Sequence, residues 1–189
     1  MKILVIDNYD SFTYNLVHIL KELSGGGVDV FRNDGISMEE IGKYDKIVIS
    51  PGPGVPDQAG ITKAMIKHYG PTKSILGVCL GCQAIAETFG GSLINLEKVY
   101  HGIETDVIVT DKSEPLFSEI PERFRAGRYH SWVVNEKDLP PQLHITAKDD
   151  EGFIMAISHN SFDVRGVQFH PESVMTIHGK QIILNWLKI

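Results

Sequence analysis

Ser74-Ile75-Leu76-Gly77-Val78-Cys79-Leu80-Gly81 followed by Cys82-Gln83-Ala84-Ile85-Ala86-Glu87-Thr88-Phe89 decides the reading of this chain. The run through Val78 reads as an apolar strand and Gln83 to Phe89 as a helix. Between them Cys79 stands two residues from a glycine on either side. This is the G-x-S-x-G pattern of a strained strand-to-helix turn, a nucleophile elbow, with Cys in place of Ser. Glycines suit it because a side chain at either flank would crowd a tightly bent backbone. The turn pushes the thiol outward, and the following helix N-terminus favours its thiolate form. The competing reading is an ordinary strand-to-helix turn holding a buried cysteine as a small apolar residue.

Outward from the elbow, strand-like runs alternate with amphipathic helical ones, which predicts an α/β fold with an open, mainly parallel sheet flanked by helices. Residues 2–7, 28–31 and 46–50 read as strands before the elbow strand. Residues 11–23 read as a helix with Phe12, Leu16, Ile19, Leu20 and Leu23 inward and Asp10 or Ser11 as its cap. Gly25-Gly26-Gly27 ends that unit, and residues 61–69 read as another helix. After Gly90-Gly91 the pattern changes to additional short β segments at 105–110, 143–148, 153–157 and 164–169, closed by a helix at 180–187.

Length and composition bound the class. The 189 residues, without linker or repeat, fit one domain spanning 1–189, and 42% hydrophobic with 22% charged residues is ordinary for a globular chain. A net charge of -6 gives no attraction for nucleic acid or an anionic membrane. The apolar run at Met1 to Ile6 is too short for a signal peptide, and no stretch is long enough to span a bilayer, so a cytoplasmic location is expected.

Near the C-terminus, Gly166-Val167-Gln168-Phe169-His170-Pro171-Glu172 ends a strand. Pro171 holds His170 extended. His170 and Glu172, two apart, can then face the same way, so the carboxylate orients the ring. With Cys79 they make a Cys-His-acid triad. Pro51-Gly52-Pro53-Gly54 and Cys79 both follow strands directly and should share the carboxyl edge of the sheet, where α/β sites lie. A loop N–H there and the N–H of Leu80 would form an oxyanion hole.

Cys79 and Cys82 are the only cysteines. Their C-x-x-C spacing admits a thiol redox protein as the alternative from another class. The glycine frame argues against it, because an elbow explains those glycines and a redox dithiol does not. The redox reading also leaves His170 and Glu172 without a task.

Residues 77–83, Ser50-Pro51-Gly52-Pro53-Gly54 and Phe169-His170-Pro171-Glu172-Ser173 together resemble the class I, or triad, glutamine amidotransferases, over essentially the whole chain. Within that class, Asp7-Asn8-Tyr9-Asp10-Ser11-Phe12-Thr13-Tyr14-Asn15-Leu16 and Arg128-Tyr129-His130-Ser131 resemble the glutaminase components of anthranilate synthase and aminodeoxychorismate synthase. The resemblance implies a flavodoxin-like sheet and hydrolysis of L-glutamine. It implies ammonia delivery to a chorismate-binding synthase subunit, for tryptophan or folate synthesis or both, with no cofactor and no metal. Cys79 would be the nucleophile, His170 the base and Glu172 its orienting acid. Gly52 and Leu80 would supply the oxyanion N–H groups, and Gln83, Gly52, Pro53, Gly54, Ser131 and Trp132 would hold the amino-acid end of glutamine. Tyr9, Asp10 and Ser11 would face the partner. The sequence departs from the family at Cys82, where His is usual, and at Ile103, where Lys is usual. Neither position belongs to the triad. All three triad residues are present, which disfavours a silent scaffold.

Overall fold

The computed structural model describes residues 1–97 and 99–189. Nine strands form one sheet. In chain order they include β1 (Ile3–Asp7), β2 (Val28–Arg32), β3 (Lys46–Ile49) and β4 (Ser74–Val78). The short β5 (Leu93–Asn95) and β8 (Trp132–Val134) pair only with each other. The large sheet continues with β6 (Ile103–Val109), β7 (Arg123–Arg128), β9 (Leu143–Asp149), β10 (Ile154–His159) and β11 (Val164–Val167). Among the described residues five α-helices accompany them: α1 (Thr13–Ser24), α2 (Met38–Ile41), α3 (Thr62–Tyr69), α4 (Leu80–Thr88) and α5 (Gly179–Lys188).

The sheet order is β2-β1-β3-β4-β11-β10-β9-β6-β7. From β2 to β11 every pairing is parallel, and from β11 to β7 every pairing is antiparallel. The C-terminal β segments expected from the sequence therefore extend the same sheet. β1, β3 and β4 are buried on both faces, which is why they read as unbroken apolar runs. Alternate residues serve opposite cores. Ile3, Val5, Val48 and Leu76 pack with Leu16 and Leu20 of α1 and Ile182 and Trp186 of α5. Leu4, Ile6, Ile47 and Ile75 pack with Met65 of α3 and Ile85 of α4 on the other face.

The structure corrects four local expectations. Helix α4 begins at Leu80, directly after Cys79, so the elbow has no spacer before its helix. Helix α1 begins at Thr13 with Phe12 in the N-cap position and no side-chain cap. The Asp10 carboxylate instead accepts the Phe12 N–H at 2.7 Å, two residues ahead of the cap position, and Ser11 does not cap. Phe12 leaves the inner face and packs near the rings of Tyr129 and His170. The strands β5, β7 and β8 are additions to the sequence reading. In β7, arginines at 123, 125 and 128 hide the alternation that buries Phe124 and Ala126.

Candidate active site

Cys79 adopts φ 53° and ψ -101°, a left-handed conformation that a side-chain-bearing residue reaches at a cost of about 1–3 kcal/mol. Tight packing holds it there. A Cβ on Gly77 would lie 2.4 Å from the Gly81 carbonyl carbon, and one on Gly81 would lie 2.8 Å from the Ile49 carbonyl oxygen. Both glycines are thus demanded by backbone-to-backbone contact. The Cys79 N–H donates to the Val167 carbonyl at 2.8 Å, tying the elbow to β11, and the Cys79 carbonyl accepts the Gln83 N–H as the first helical bond. The sulfur therefore sits at the N-terminus of α4, where unpaired amides and the helix dipole favour negative charge.

His170 follows β11 at the same sheet edge. Its Nδ1 lies 2.6 Å from Glu172 Oε1, and both side chains are buried. The backbone fixes this pair: the His170 N–H donates to the Gly127 carbonyl, and the Thr176 hydroxyl donates to the His170 carbonyl. Among the described residues, His170 Nε2 has no hydrogen-bond partner, which leaves it for the thiol. Burial works against a charged ring. The negative charge of Cys79 and the hydrogen-bonded Glu172 carboxylate overcome that, raising the His170 pKa to about 10.

The 50–54 loop is pinned from β1. The Asn8 N–H donates to Ser50 Oγ and the Asn8 side-chain amide to the Ser50 carbonyl, each at 2.9 Å. Gly52 is wedged so closely that a Cβ would meet Asn8 Cβ at 2.6 Å and Leu80 Cδ2 at 2.7 Å. This brings the Gly52 backbone beside the first residue of α4, whose own N–H has no acceptor within the helix. Leu80 itself lines a neighbouring cavity with Asn8, Pro53 and Gly54.

Gly52, Pro53, Gly54, Cys79, Gln83, Ser131 and Trp132 all border one cavity of about 140 Å³. It adjoins a larger cavity of about 380 Å³ that reaches His170, Tyr129, His101 and the Tyr9 to Phe12 segment. Glu172 stands behind His170 and lines neither. Gln83 is buried: its amide nitrogen donates to the Trp132 carbonyl at 2.9 Å and to Gln168 Oε1 at 3.2 Å.

The wall from Tyr129 to Trp132 rests on a network that sequence reasoning missed. Arg128, fully buried, donates to Asp149 at 2.6 Å and to His130 Nε2 at 3.1 Å, and lies 3.8 Å over the Tyr100 ring. Burial, then the charges of Arg128 and His170, lower the His130 pKa to about 3, so this ring stays neutral beside a charged one. Asn8 carried a findable signal, since it directly follows β1 at the predicted edge. Arg128 carried only its place in the family-like run at 128–131 and Asp149 carried none, the two being 21 residues apart on strands whose pairing is not visible in sequence.

Cys82 is fully buried, and burial followed by the nearby charge of Cys79 pushes its thiol pKa well up. It faces Gly166, where a Cβ would lie 2.8 Å from its sulfur, so packing against β11 occupies it. Ile103 is partly exposed at the start of β6.

A thiol on a strained elbow at a helix N-terminus, bordering a small polar cavity, and a histidine buttressed by a carboxylate at the same sheet edge fit a cysteine hydrolase of the acyl-transfer type on an open α/β sheet. The model of the class-I glutamine amidotransferase family matches residues 4–189, and the chain belongs to that family. The aminodeoxychorismate/anthranilate synthase component 2 of Bacillus subtilis is 47% identical over 98% of this chain and 95% of its own length. A candidate anthranilate synthase component II of Haemophilus influenzae is 46% identical over 100% and 97%. The bifunctional TrpGD protein of Thermotoga maritima is 46% identical over the whole chain, which spans only 32% of that larger relative. The solved structure of a candidate GMP synthase subunit from Thermoplasma acidophilum superposes with a TM-score of 0.88 at 28% identity, covering 100% of this chain and 92% of that one.

Proposed function

We propose that this chain, as a single amidotransferase domain over 1–189, is the cytoplasmic glutaminase subunit of anthranilate synthase. The observation that carries the reading is the strained Cys79 elbow on the same sheet edge as His170 and Glu172, which are themselves joined at 2.6 Å. Among the described residues no helix is long and apolar enough to cross a membrane.

In this reading L-glutamine enters with its side-chain amide at Cys79 and its amino-acid end against Gly52 to Gly54, Gln83, Ser131 and Trp132. The Cys79 thiolate adds to the amide carbon, and the oxyanion is held by the N–H groups of Gly52 and Leu80. His170, protonated and oriented by Glu172, gives its proton to the departing nitrogen, so ammonia leaves and a glutamyl thioester remains. His170, now neutral, takes a proton from water, whose oxygen attacks the thioester and releases glutamate. Ammonia passes to a chorismate-binding subunit.

The Bacillus subtilis relative is named for both synthases, which supports a second reading: service to an aminodeoxychorismate-forming partner, alone or as well. One assay tests both. Glutamate release is measured for the chain alone, with an anthranilate-forming or an aminodeoxychorismate-forming subunit, and with each plus chorismate. Activation by the first only supports the leading reading, activation by the second only reverses it, and equal rates throughout reject coupling.

A further inference from the structure

Gln168 lies between the elbow and the substrate wall, fully buried, and takes no part in the hydrolytic steps. Its amide nitrogen is 3.6 Å from Cys79 Sγ. Its amide oxygen accepts from Gln83, whose nitrogen also donates to the Trp132 backbone carbonyl. That carbonyl can only accept, which fixes the direction of the whole chain. Gln83 must present its nitrogen to Trp132 and Gln168, Gln168 must present its oxygen to Gln83, and the only end left for the sulfur is an N–H donor.

We propose that Gln168 is a thiolate donor, held in register by Gln83, so that the residue bordering the glutamine cavity also sets the charge state of the nucleophile. This rests on the glutaminase reading above. A neutral thiol is a weak acceptor, so a fully buried amide N–H aimed at one is poorly satisfied. The same N–H aimed at a thiolate makes a charge-assisted bond. The arrangement therefore favours the ionised sulfur independently of His170. It also assigns Gln83 two tasks, one at the cavity through its remaining oxygen and one as the positioning residue of Gln168.

Other groups also act on this sulfur. His170 and Glu172 supply the positive ring, Cys82 stays protonated one turn along α4, and His130 is neutral across the cavity. Asp10, Tyr9, His101 and Tyr129 border the outer cavity. All are common to wild type and variants, so a difference in pH midpoint isolates Gln168.

The test is the pH dependence of Cys79 alkylation by iodoacetamide in the full chain, with glutaminase kinetics measured beside it in the complex. Gln168→Met, which keeps length and loses the donor, is expected to raise the alkylation midpoint by about one pH unit and lower kcat about tenfold with little change in KM. Gln168→Glu, isosteric with a carboxylate oxygen toward the sulfur, should raise the midpoint further and guards against a folding failure of the methionine variant. Gln83→Leu should raise it less, because the Gln83 side-chain amide donates to Trp132 and Gln168 and acts on the sulfur through Gln168, and should also raise the KM for glutamine. An unmoved midpoint in either folded Gln168 variant overturns the proposal. So does a Gln83→Leu variant that changes KM alone. Loss of glutaminase activity in Cys79→Ala separates this outcome from failure of the triad itself, because the relay can fall while the triad stands.

Discussion

The two halves of the sheet hold their shares of the site by different physics. In the parallel half, from β1 to β4, position comes from backbone pressed on backbone: Gly77 on Gly81, Gly81 on Ile49 and Gly52 on Asn8. In the antiparallel half, the Tyr129 to Trp132 wall rests on a buried polar network in which Arg128 joins Asp149 and His130. A nucleophile can be strained into place by a few residues that lack side chains. A cavity wall needs partners drawn from several strands, each satisfied only while the others remain.

The largest effect tests the shared product of both halves. Cys79→Ser should lower glutamine-dependent synthesis on the order of a thousandfold or more while ammonia-dependent synthesis by the reconstituted complex survives, because a hydroxyl does not ionise where a thiol does. Steady-state assays with each nitrogen source decide it, and retention of most glutamine-dependent activity defeats the triad.

Next comes the polar half. Asp149→Leu leaves the Arg128 charge buried without its carboxylate, and a stability loss of about 3–5 kcal/mol is expected in urea unfolding. The steric half should yield somewhat less: Gly81→Ala places a Cβ against the Ile49 backbone and should cost about 2–3 kcal/mol. If the glycine change is neutral, backbone contact is not what holds the elbow, and the contrast between the halves collapses.

A conditional effect sharpens the comparison. His130 has its folded pKa depressed to about 3 from 6.5, so between those values the unfolded chain binds a proton that the folded chain refuses. Stability should therefore fall as pH drops through that window, by up to about 1.4 kcal/mol per unit, and His130→Gln should flatten the slope. Urea midpoints at mildly acid and neutral pH read it directly. The smallest effect belongs to Cys82→Ala, which trims a side chain packed on Gly166 and should leave glutaminase activity within about twofold. A loss matching that of Cys79→Ser would revive the dithiol reading.

The same contrast explains what could be read from the sequence. Strands β1, β3 and β4 announce themselves as apolar runs because both faces are covered, and glycines frame Cys79 because nothing larger fits. His170 and Glu172 were legible together because Pro171 fixes the segment between them. Strand β7 was not, since its buried Arg128 looks like its exposed neighbours Arg123 and Arg125 until Asp149 is placed beside it. Gln168 was equally hidden: nothing local distinguishes an amide aimed at a sulfur from one aimed at solvent. Gln83 alone would have passed for an exposed first-turn residue, and only its resemblance to the family motif marked it.

Cys82 carries one more consequence. Proteins that expect peroxide keep a second thiol near the first, ready to condense with a sulfenic acid and be recycled by reductants. Here the neighbour one turn away is pressed onto Gly166 and kept protonated by burial, so it is a poor attacking group for that rescue. Once oxidised, Cys79 has no return route inside its own fold and proceeds toward sulfinic acid unless a small external thiol reaches down the cavity. The packing that steadies the elbow thus leaves recovery from oxidation to reductants outside the chain.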